Sequence, residues 1–348
     1  MTATHAFFAG SVTAFNVRRD LINLSKSLNG DFELHLVTTK ANELRSNVGK
    51  HLQLYGPLDS DSRLSEVRAL KNYLREHSPA TLTQVTQPPI HGTLVGSVSQ
   101  LHPDTKFIYR YSGDSFKLHE FHSGYSKYRN WFLYNVVGGV PLYQADKCIV
   151  LGDHGRDQLT ERGVSPGQIV QLPPMVDPDR FRDTDPIQFC DDQTIFGFVG
   201  RISRLKGSET LERTLPKIIE RRPNCKFVFV GEVNDDTLKQ RFSDHVEFVG
   251  RVPPEQVPAY MKGFDALVHP SLTEGVPRAI LEALYVSTPV IARDVGDLSE
   301  VSDNLFEHDT EFVNMVCDFE SLAVDDISEF TVYNAGQNYA QFYNSLSY

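Results

Sequence analysis

Two carboxylates, Glu274 and Glu282, stand eight positions apart within the segment Ser271–Leu284. Glu274 lies in a polar loop that continues into Gly275 and Pro277, and Glu282 lies in the apolar run that follows. Proline is favoured at the first position of a helix because its missing N–H would find no partner there. We therefore expect a helix from Pro277, with free N–H groups and a positive dipole end that favour an anionic ligand.

Glu282 is flanked by isoleucine, leucine and alanine. A carboxylate in such surroundings is costly unless strong hydrogen-bond donors reach it, and a sugar diol is one such donor. A solvated or salt-bridged Glu282 is the alternative that the spacing leaves open. A catalytic pair with Glu274 is disfavoured, because eight helical residues span roughly 12 Å, whereas glycoside hydrolase carboxyls lie about 5–9.5 Å apart.

A second candidate site follows the predicted strand Thr194–Val199, in the loop from Gly200 to Gly207. The loop places three basic side chains between a strand and a helix: Arg201, Arg204 and Lys206. Arginine offers a planar fork for phosphate oxygens and lysine a movable point charge. The sequence is neither a P-loop nor a dinucleotide-binding glycine motif. A solvated basic loop is the alternative.

The elements that position these loops alternate between short apolar and longer amphipathic segments, which is typical of parallel α/β sheets. The predicted strands of the first half are Ala6–Ala9, Glu33–Thr38, His51–Tyr55, Thr81–Val85, Lys106–Tyr111, Lys147–Leu151 and Gln168–Leu172. Those of the second half are Thr194–Val199, Lys226–Val230, Val246–Val249, Ala266–His269 and Pro289–Ala292. The predicted helices are Ser62–Glu76, about Glu120–Tyr143, Ser208–Arg221, Asp235–Ser243, Pro254–Lys262, Pro277–Tyr285 and the tail Asn334–Leu346.

The 348 residues suggest two domains. We place the first at 1–181 and the second at 190–330, joined by a polar linker at 182–193, with a C-terminal helix within 331–348 packing back on the first. The net charge of −11 argues against a nucleic-acid partner. Four scattered cysteines indicate isolated thiols in a reducing compartment. No signal peptide or membrane-spanning run is evident, so we expect a cytoplasmic protein.

Several motifs occur in one order, each beside a predicted strand: Gly200-Arg201…Lys206-Gly207, Val230-Gly231-Glu232, Val249-Gly250, Glu274-Gly275…Glu282 and Thr288-Pro289-Val290-Ile291. Over about Thr194–Val301 they resemble the donor-binding domain of family 4 glycosyltransferases. The resemblance implies the GT-B fold, an α/β architecture of two Rossmann-like, doubly wound parallel-sheet domains facing across a cleft. It also implies retaining transfer of a hexose from a nucleotide-diphosphate sugar to an acceptor hydroxyl.

The resemblance also implies roles for single residues. Arg201 and Lys206 would hold the diphosphate and stabilise charge on the leaving phosphate. Glu274 would contact hydroxyls of the transferred sugar, and Glu282 would accept hydrogen bonds from the ribose diol. The remaining donor-binding positions supply backbone groups or tight turns: Gly200, Gly250, Gly275 and Val276.

The nucleotide-diphosphate sugar is then a co-substrate, and no cofactor or metal is expected. Asp59-Ser-Asp61 has the spacing of metal-dependent transferases. It precedes a helix, however, so capping is the favoured interpretation.

The first half departs from the family where members carry a histidine near the reacting sugar. The corresponding loop is Tyr111-Ser-Gly-Asp114, so Ser112 or Asp114 would face the cleft as a catalytic group, or Asp114 would cap the following turn; both remain open. We interpret the nearby histidines as surface or packing residues: His91, His119 and His122.

The acceptor is an unidentified glycan or lipid-linked molecule. The segment Lys127–Val137 mixes basic and aromatic residues, which allows peripheral contact with the inner face of a membrane. A helix that packs its aromatic side on the sheet is the favoured alternative. Two other functions stay open: a nucleotide-sugar epimerase or hydrolase of the same fold, and a non-catalytic nucleotide-sugar binder.

Overall fold

A computed structural model describes residues 3–28, 30, 32–57, 60–189, 192–233 and 236–347 of the protein. The chain divides into two compact units. The first comprises the chain up to Met175 together with the C-terminal segment from Val332, and the second is Val176–Thr331. Each unit is a parallel sheet with helices on its faces.

The first unit contains a seven-stranded sheet in the order β3-β2-β1-β4-β5-β6-β7, and all its paired strands are parallel. The strands are β1 (Thr4–Gly10), β2 (Glu33–Thr38), β3 (Gln53–Tyr55), β4 (Thr81–Gln84), β5 (Lys106–Arg110), β6 (Lys147–Val150) and β7 (Ile169–Gln171). The helices are α1 (Phe15–Ser27), α2 (Ala41–Arg45), α3 (Arg63–Glu76), α4 (Pro88–Ser99), α5 (Gly124–Trp131), α6 (Val140–Gln144) and α7 (Asp153–Glu161).

Central strands of this sheet are buried on both faces, as expected when helices cover both sides. Successive side chains of β1 point to opposite faces. Phe8 packs in one cluster with Leu70 of α3, whereas Phe7 packs in the other with Leu21 of α1. The continuous apolar sequence of the strand therefore fills two separate core layers.

The second unit contains a six-stranded parallel sheet in the order β10-β9-β8-β11-β12-β13. The strands are β8 (Thr194–Val199), β9 (Cys225–Val230), β10 (Val246–Gly250), β11 (Ala266–His269), β12 (Val290–Arg293) and β13 (Leu305–Phe306). The helices are α8 (Ser208–Arg221), α9 (Asp236–Arg241), α10 (Val257–Gly263), α11 (Arg278–Tyr285) and α12 (Asp309–Cys317). Strand order reverses direction between β8 and β11, which is where ligands bind in open α/β sheets.

The last helix, α13 (Ala335–Ser345), belongs to the first unit and packs on α1. Its Tyr339, Phe342 and Tyr343 join the cluster that contains Phe7. The Tyr343 hydroxyl lies 3.2 Å from the Thr83 hydroxyl of β4. The aromatic character of the tail is thus explained by burial against the sheet.

Every strand predicted from the sequence is present, and the predicted parallel α/β architecture is confirmed. The short strand β13 was not predicted. The helical stretch predicted over about Glu120–Tyr143 is present from Gly124 to Gln144, although it divides into successive α, π and 3₁₀ turns rather than forming one regular α-helix. Among the described residues, no helix combines the length and apolar character that crossing a bilayer requires.

Two further sequence predictions concern the Asp59-Ser-Asp61 motif and the cysteines. Asp59 lies outside the described residues, and Asp61 forms an ion pair with Lys40 at 3.0 Å, while Ser62 occupies the N-cap of α3. Capping by Asp61 is therefore wrong. Cys190 also lies outside the described residues, and the other cysteines are free thiols: Cys148, Cys225 and Cys317.

Candidate functional site

The loops after β8 and β11 meet at the carboxyl edge of the second sheet. The N–H of Leu272 donates to the carbonyl of Leu205 at 2.9 Å, which ties the two loops together. Gly207 makes this approach possible: its φ is +86°, and a Cβ there would lie 2.2 Å from the carbonyl oxygen of Pro270. Only glycine fits this turn, because it tolerates both the left-handed backbone and the contact.

Glu274 lies at the centre of this meeting point. Lys206, from the loop before α8, donates a hydrogen bond to Glu274 Oε1. His269, the last residue of β11, places Nε2 2.8 Å from the same oxygen, and the Ser271 hydroxyl lies 3.0 Å from that nitrogen. The Glu274 side chain is 12% exposed. The sequence predicted Lys206 and Glu274 as site residues, and the structure brings them into direct contact.

The electrostatics of this cluster keep Glu274 ionised. Burial alone would raise the pKa of its carboxyl, but the hydrogen bond and charge of His269, together with Lys206, outweigh burial and lower the pKa to about 2. His269 was missed by the sequence analysis because it was assigned to a buried strand. Its place at the last strand position, directly before the polar loop, is the signal that could have found it.

The two arginines of the basic loop are more exposed than Lys206. Arg201 Nε lies 3.6 Å from Glu232 Oε2, and Arg204 Nε lies 3.1 Å from Glu209 Oε1. Arg251, after β10, also contacts Glu232 at 2.5 Å. The rim of the site therefore carries long basic side chains paired to surface carboxylates, and such exposed pairs cost little to rearrange.

Gly200 follows β8 and Gly250 ends β10, the two strands that flank β9, so each lies at a strand end as predicted. The N–H of Gly231 donates to the Gly250 carbonyl at 2.8 Å. A Cβ on Gly231 would lie 2.0 Å from the Gly200 carbonyl oxygen. These glycines therefore let three strand ends close together beside the basic loop.

Helix α11 begins at Arg278, with Pro277 as its N-cap, one position later than the sequence indicated. Val276 is buried before it. The Gly275 carbonyl accepts a hydrogen bond from the Asp297 N–H at 3.3 Å. The Gly275–Pro277 turn thus places the amino end of α11 directly after Glu274, which is where helix N–H groups favour an anion.

Glu282 has a partner that the sequence analysis did not find. Arg180 donates to Glu282 Oε1 through Nη1, and its Nη2 donates to the Pro254 carbonyl at 3.1 Å. The Glu282 side chain is only 8% exposed and the Arg180 side chain only 10%. Of the alternatives that the sequence left open for Glu282, a salt bridge is therefore the one observed, and it is formed by Oε1. Arg180 lies 102 positions earlier in the chain, so no local pattern revealed the pair.

Asp114 lies in the first unit, in the loop after β5. Its carboxylate accepts a hydrogen bond from Gln158 Nε2 at 2.6 Å and lies 3.7 Å from His154 Nε2. Asp114 occupies the N-cap position of the 3₁₀ turn Ser115–Phe121, but its side chain makes no capping hydrogen bond there. The Tyr111 hydroxyl donates to Gln158 Oε1. Burial alone would raise the pKa of the Asp114 carboxyl. The hydrogen bonds from His154 and Gln158 together outweigh burial, so the net pKa shift is downward.

His154 and Gln158 belong to α7, which follows β6, and the sequence analysis did not single them out. Their place after a strand that neighbours β5 is the missed signal. The nearby histidines behave as predicted: His91 is fully buried and hydrogen-bonded to Thr86, and His119 and His122 are half-buried.

Residues 193–323 match the family model described as Glycosyl transferases group 1. The TuaC protein of Bacillus subtilis (strain 168), described as a putative teichuronic acid biosynthesis glycosyltransferase, is 37% identical over 111 residues, 32% of this chain and 27% of that protein. The D-inositol 3-phosphate glycosyltransferase of Nocardia farcinica is 28% identical over 178 residues, 45% of this chain and 40% of that protein. The alignments thus span less than half of these relatives.

Solved structures match almost the whole chain. Anabaena Alr3699/HepE in complex with UDP-glucose has a TM-score of 0.72 at 18% identity, covering 98% of this chain and 99% of that one. The sucrose-phosphate synthase of Thermosynechococcus elongatus also has a TM-score of 0.72, at 19% identity, covering 99% and 96%. The chain therefore has the GT-B fold, and residues 193–323 in its second half are similar to the glycosyl transferases group 1 model.

Proposed function

We propose that the protein is a retaining hexosyltransferase of family 4 that moves a sugar from a nucleotide-diphosphate donor to an acceptor hydroxyl in glycoconjugate synthesis. The observation that carries the proposal is the contact between Glu274 and Lys206. A carboxylate accepts hydrogen bonds from sugar hydroxyls, and a lysine donates them to phosphate oxygens. One site thus offers matching groups to both the sugar and the diphosphate of a single donor.

Lys206 is the group we assign to the diphosphate, assisted by Arg201. Lys206 is bonded to Glu274, and its ammonium has three N–H donors, so it can keep that bond while it donates to phosphate oxygens. Arg201 is 62% exposed, and its loose contact with Glu232 leaves it able to turn toward a phosphate. Charge that develops on the departing nucleotide would be stabilised by these cations, so the proposal requires no divalent metal.

Glu274 is the group we assign to the transferred sugar. Its low pKa keeps the carboxylate ionised at neutral pH, so it accepts hydrogen bonds rather than donating a proton. The N–H groups of Gly275 and Val276, directly before α11, are assigned to the donor's phosphate or sugar. For Glu282 we propose the ribose diol, bound through Oε2, because Oε1 is taken by Arg180.

The comparisons support this assignment. The matched range 193–323 includes Arg201, Lys206, Glu274 and Glu282. A similar fold, that of the Anabaena protein, was solved with UDP-glucose. A UDP-sugar is therefore the first donor to test, and residues 190–330 form the donor domain of the proposal.

For the first domain, 1–181, we propose the acceptor side of the reaction, with Asp114 as its candidate catalytic residue. We place the reaction in the cytoplasm, because free, buried thiols such as those of Cys148 and Cys225 suit a reducing compartment.

A ligand panel tests the proposal. Thermal shifts with UDP-, GDP- and ADP-sugars identify the donor, and mass spectrometry then follows released nucleotide and sugar transfer to acceptor candidates. Transfer in the presence of EDTA, with the anomeric configuration of the product unchanged by NMR, is the expected result. Binding without turnover on any acceptor favours a nucleotide-sugar binder. Nucleotide release without transfer favours a hydrolase or epimerase.

A further inference from the structure

A row of large apolar side chains lies on the surface of the first unit, along the helical run from Gly124 to Gln144. The run consists of α5, a π-helical turn at Phe132–Val136, a 3₁₀ turn at Val137–Gly139 and α6. The members, here called the exposed stripe, are between 39% and 82% exposed: Tyr125, Tyr128, Trp131, Phe132, Val136, Val140 and Tyr143. Apart from Trp131, they recur every three or four positions, the spacing at which helical side chains share one side.

The other side of the run faces the protein. Asn130, Gly138 and Leu142 are buried there. The Thr93 hydroxyl of α4 donates to the Val137 carbonyl at 3.0 Å, and Arg162 donates to Asn135 Oδ1 at 3.2 Å. The run is therefore anchored by its inner side.

The favoured sequence interpretation, in which the aromatic side packs on the sheet, is wrong. Tyr128, Trp131 and Phe132 all point outward. A surface helix normally presents polar residues to water and apolar ones to the core. The inverted pattern is typical of a surface that meets another apolar medium or a partner.

The charge around the exposed stripe differs from that of the chain as a whole. The protein carries a net charge of −11, yet no acidic residue occurs between Phe121 and Ala145. Lys127 and Arg129 lie in α5 between Tyr125 and Trp131, and both are exposed. The partner that fits this surface is therefore one that is negatively charged at its surface and apolar beneath it.

We propose that the exposed stripe docks on the surface of a lipid bilayer that contains anionic lipids. Tryptophan and tyrosine favour the membrane–water interface, because their rings are apolar and their polar tips remain hydrated. Lysine and arginine beside an apolar helix face attract anionic headgroups. A run of this length, roughly 30 Å at 1.5 Å per residue, would lie in the plane of the interface.

A second copy of this chain fits the exposed stripe less well. In a two-fold dimer the same patch faces itself, so Lys127 and Arg129 of one copy would approach their counterparts in the other. Like charges at such an interface are destabilising. Anionic headgroups pair with these cations instead.

The inference goes beyond the proposed sugar transfer and does not depend on it, because none of its residues belongs to the Glu274 site. Docking here would bring the first unit to a lipid-linked acceptor. Vesicle binding and nucleotide-sugar binding are separate measurements, so failure of one leaves the other standing.

Co-sedimentation with vesicles tests the inference. The full chain is mixed with phosphatidylcholine vesicles with and without phosphatidylglycerol, at low and high salt. The double variant Trp131→Ser/Phe132→Ser and the charge reversal Lys127→Glu/Arg129→Glu are compared with controls of the same unit. The matched controls are Leu64→Ser/Leu101→Ser, two exposed leucines, and Lys71→Glu/Arg75→Glu, two exposed cations of α3.

We expect wild type and both controls to bind vesicles that contain phosphatidylglycerol, and high salt to weaken that binding. The partition coefficient of each stripe variant should fall on the order of tenfold, with Tm unchanged. Wild type that binds neither vesicle overturns the inference, as do stripe variants that bind like wild type. Loss of a concentration-dependent dimer in the stripe variants, without any vesicle binding, would assign the surface to self-association and also overturn it.

Discussion

Lys206 and His269 both form hydrogen bonds with the same oxygen of Glu274, Oε1. The lysine lies 68 positions from Glu274 along the chain, whereas the histidine lies only five positions away. The lysine comes from the loop that follows β8, and the histidine ends β11. These two strands are neighbours at the point where the strand order reverses. The geometry of the parallel sheet alone therefore assembles the cluster.

Replacing Lys206 with alanine tests whether the basic loop binds the diphosphate. A charge-assisted hydrogen bond contributes about 1.5–3 kcal/mol, so Lys206→Ala should lower kcat/KM by roughly 10- to 100-fold. Arg204→Ala is the matched control, since Arg204 lies in the same loop and pairs with the surface residue Glu209 at 3.1 Å. Unchanged kinetics in a folded Lys206→Ala variant would remove the loop from the site.

The low pKa of Glu274 predicts acid sensitivity. In the unfolded chain the carboxyl takes up a proton near its ordinary pKa of 4.5, whereas in the folded protein it does so near pH 2. The unfolded state therefore binds more protons between these values, so stability is present above about pH 4.5 and is lost as the pH falls toward 2. The difference corresponds to about 3 kcal/mol at neutral pH.

Glu274→Gln removes that titration and keeps the shape of the side chain. Melting curves between pH 7 and about pH 2.5 should show wild type losing its stability advantage over Glu274→Gln as the pH falls, with the two converging at the acid end. Glu255→Gln, at an exposed position, controls for the loss of any carboxylate. A constant stability difference across the range would contradict the pKa assignment.

The sequence predicted the sheets because strands of parallel α/β proteins are short apolar runs set between polar loops. The helices were harder to predict from the sequence than the strands. The pattern of α1 was obscured because it buries Asn23 and Ser25 beside Leu21 and Leu24. Asn23 is held there by a bond to the Met175 carbonyl at 2.7 Å, a contact that no local pattern reveals.

The site was predictable to the extent that it follows strand ends. Lys206 and Glu274 were found because both lie in loops that follow strands, and ligands of parallel sheets bind beyond the carboxyl ends of strands. Arg180 and His154 were not, because each reaches its carboxylate through packing between distant segments. The exposed stripe was visible as composition, but only the fold shows which side of the helix faces water.

The pair of Arg180 and Glu282 predicts a stability effect that the sequence did not suggest. Because both side chains are about nine-tenths buried, Glu282→Ala leaves a buried cation without its partner. Such losses cost about 3–5 kcal/mol, and a double-mutant cycle with Arg180→Ala should show strong coupling. Chemical denaturation measures both.

An exposed pair nearby is the control for that cycle. Arg182 and Asp179 lie 2.8 Å apart with side chains 68% and 42% exposed. Their cycle should give no more than about 1 kcal/mol. Additive effects of Arg180→Ala and Glu282→Ala would show that the buried contact contributes nothing. Loss of nucleotide binding in Glu282→Ala, beyond that in Arg180→Ala, would support a ribose contact.

Asp114 separates a catalytic protein from a binder. If it contacts the reacting sugar or acceptor, Asp114→Asn should lower kcat at saturating donor by roughly 10- to 100-fold. Donor affinity should change little, because the proposed diphosphate and ribose contacts belong to the second unit. Asparagine keeps an oxygen for Gln158, so Tm should stay close to that of wild type.

His154→Gln, which leaves the Asp114 carboxylate in place, is the companion variant. Full turnover in Asp114→Asn together with a lowered Tm would make Asp114 structural and favour the binder.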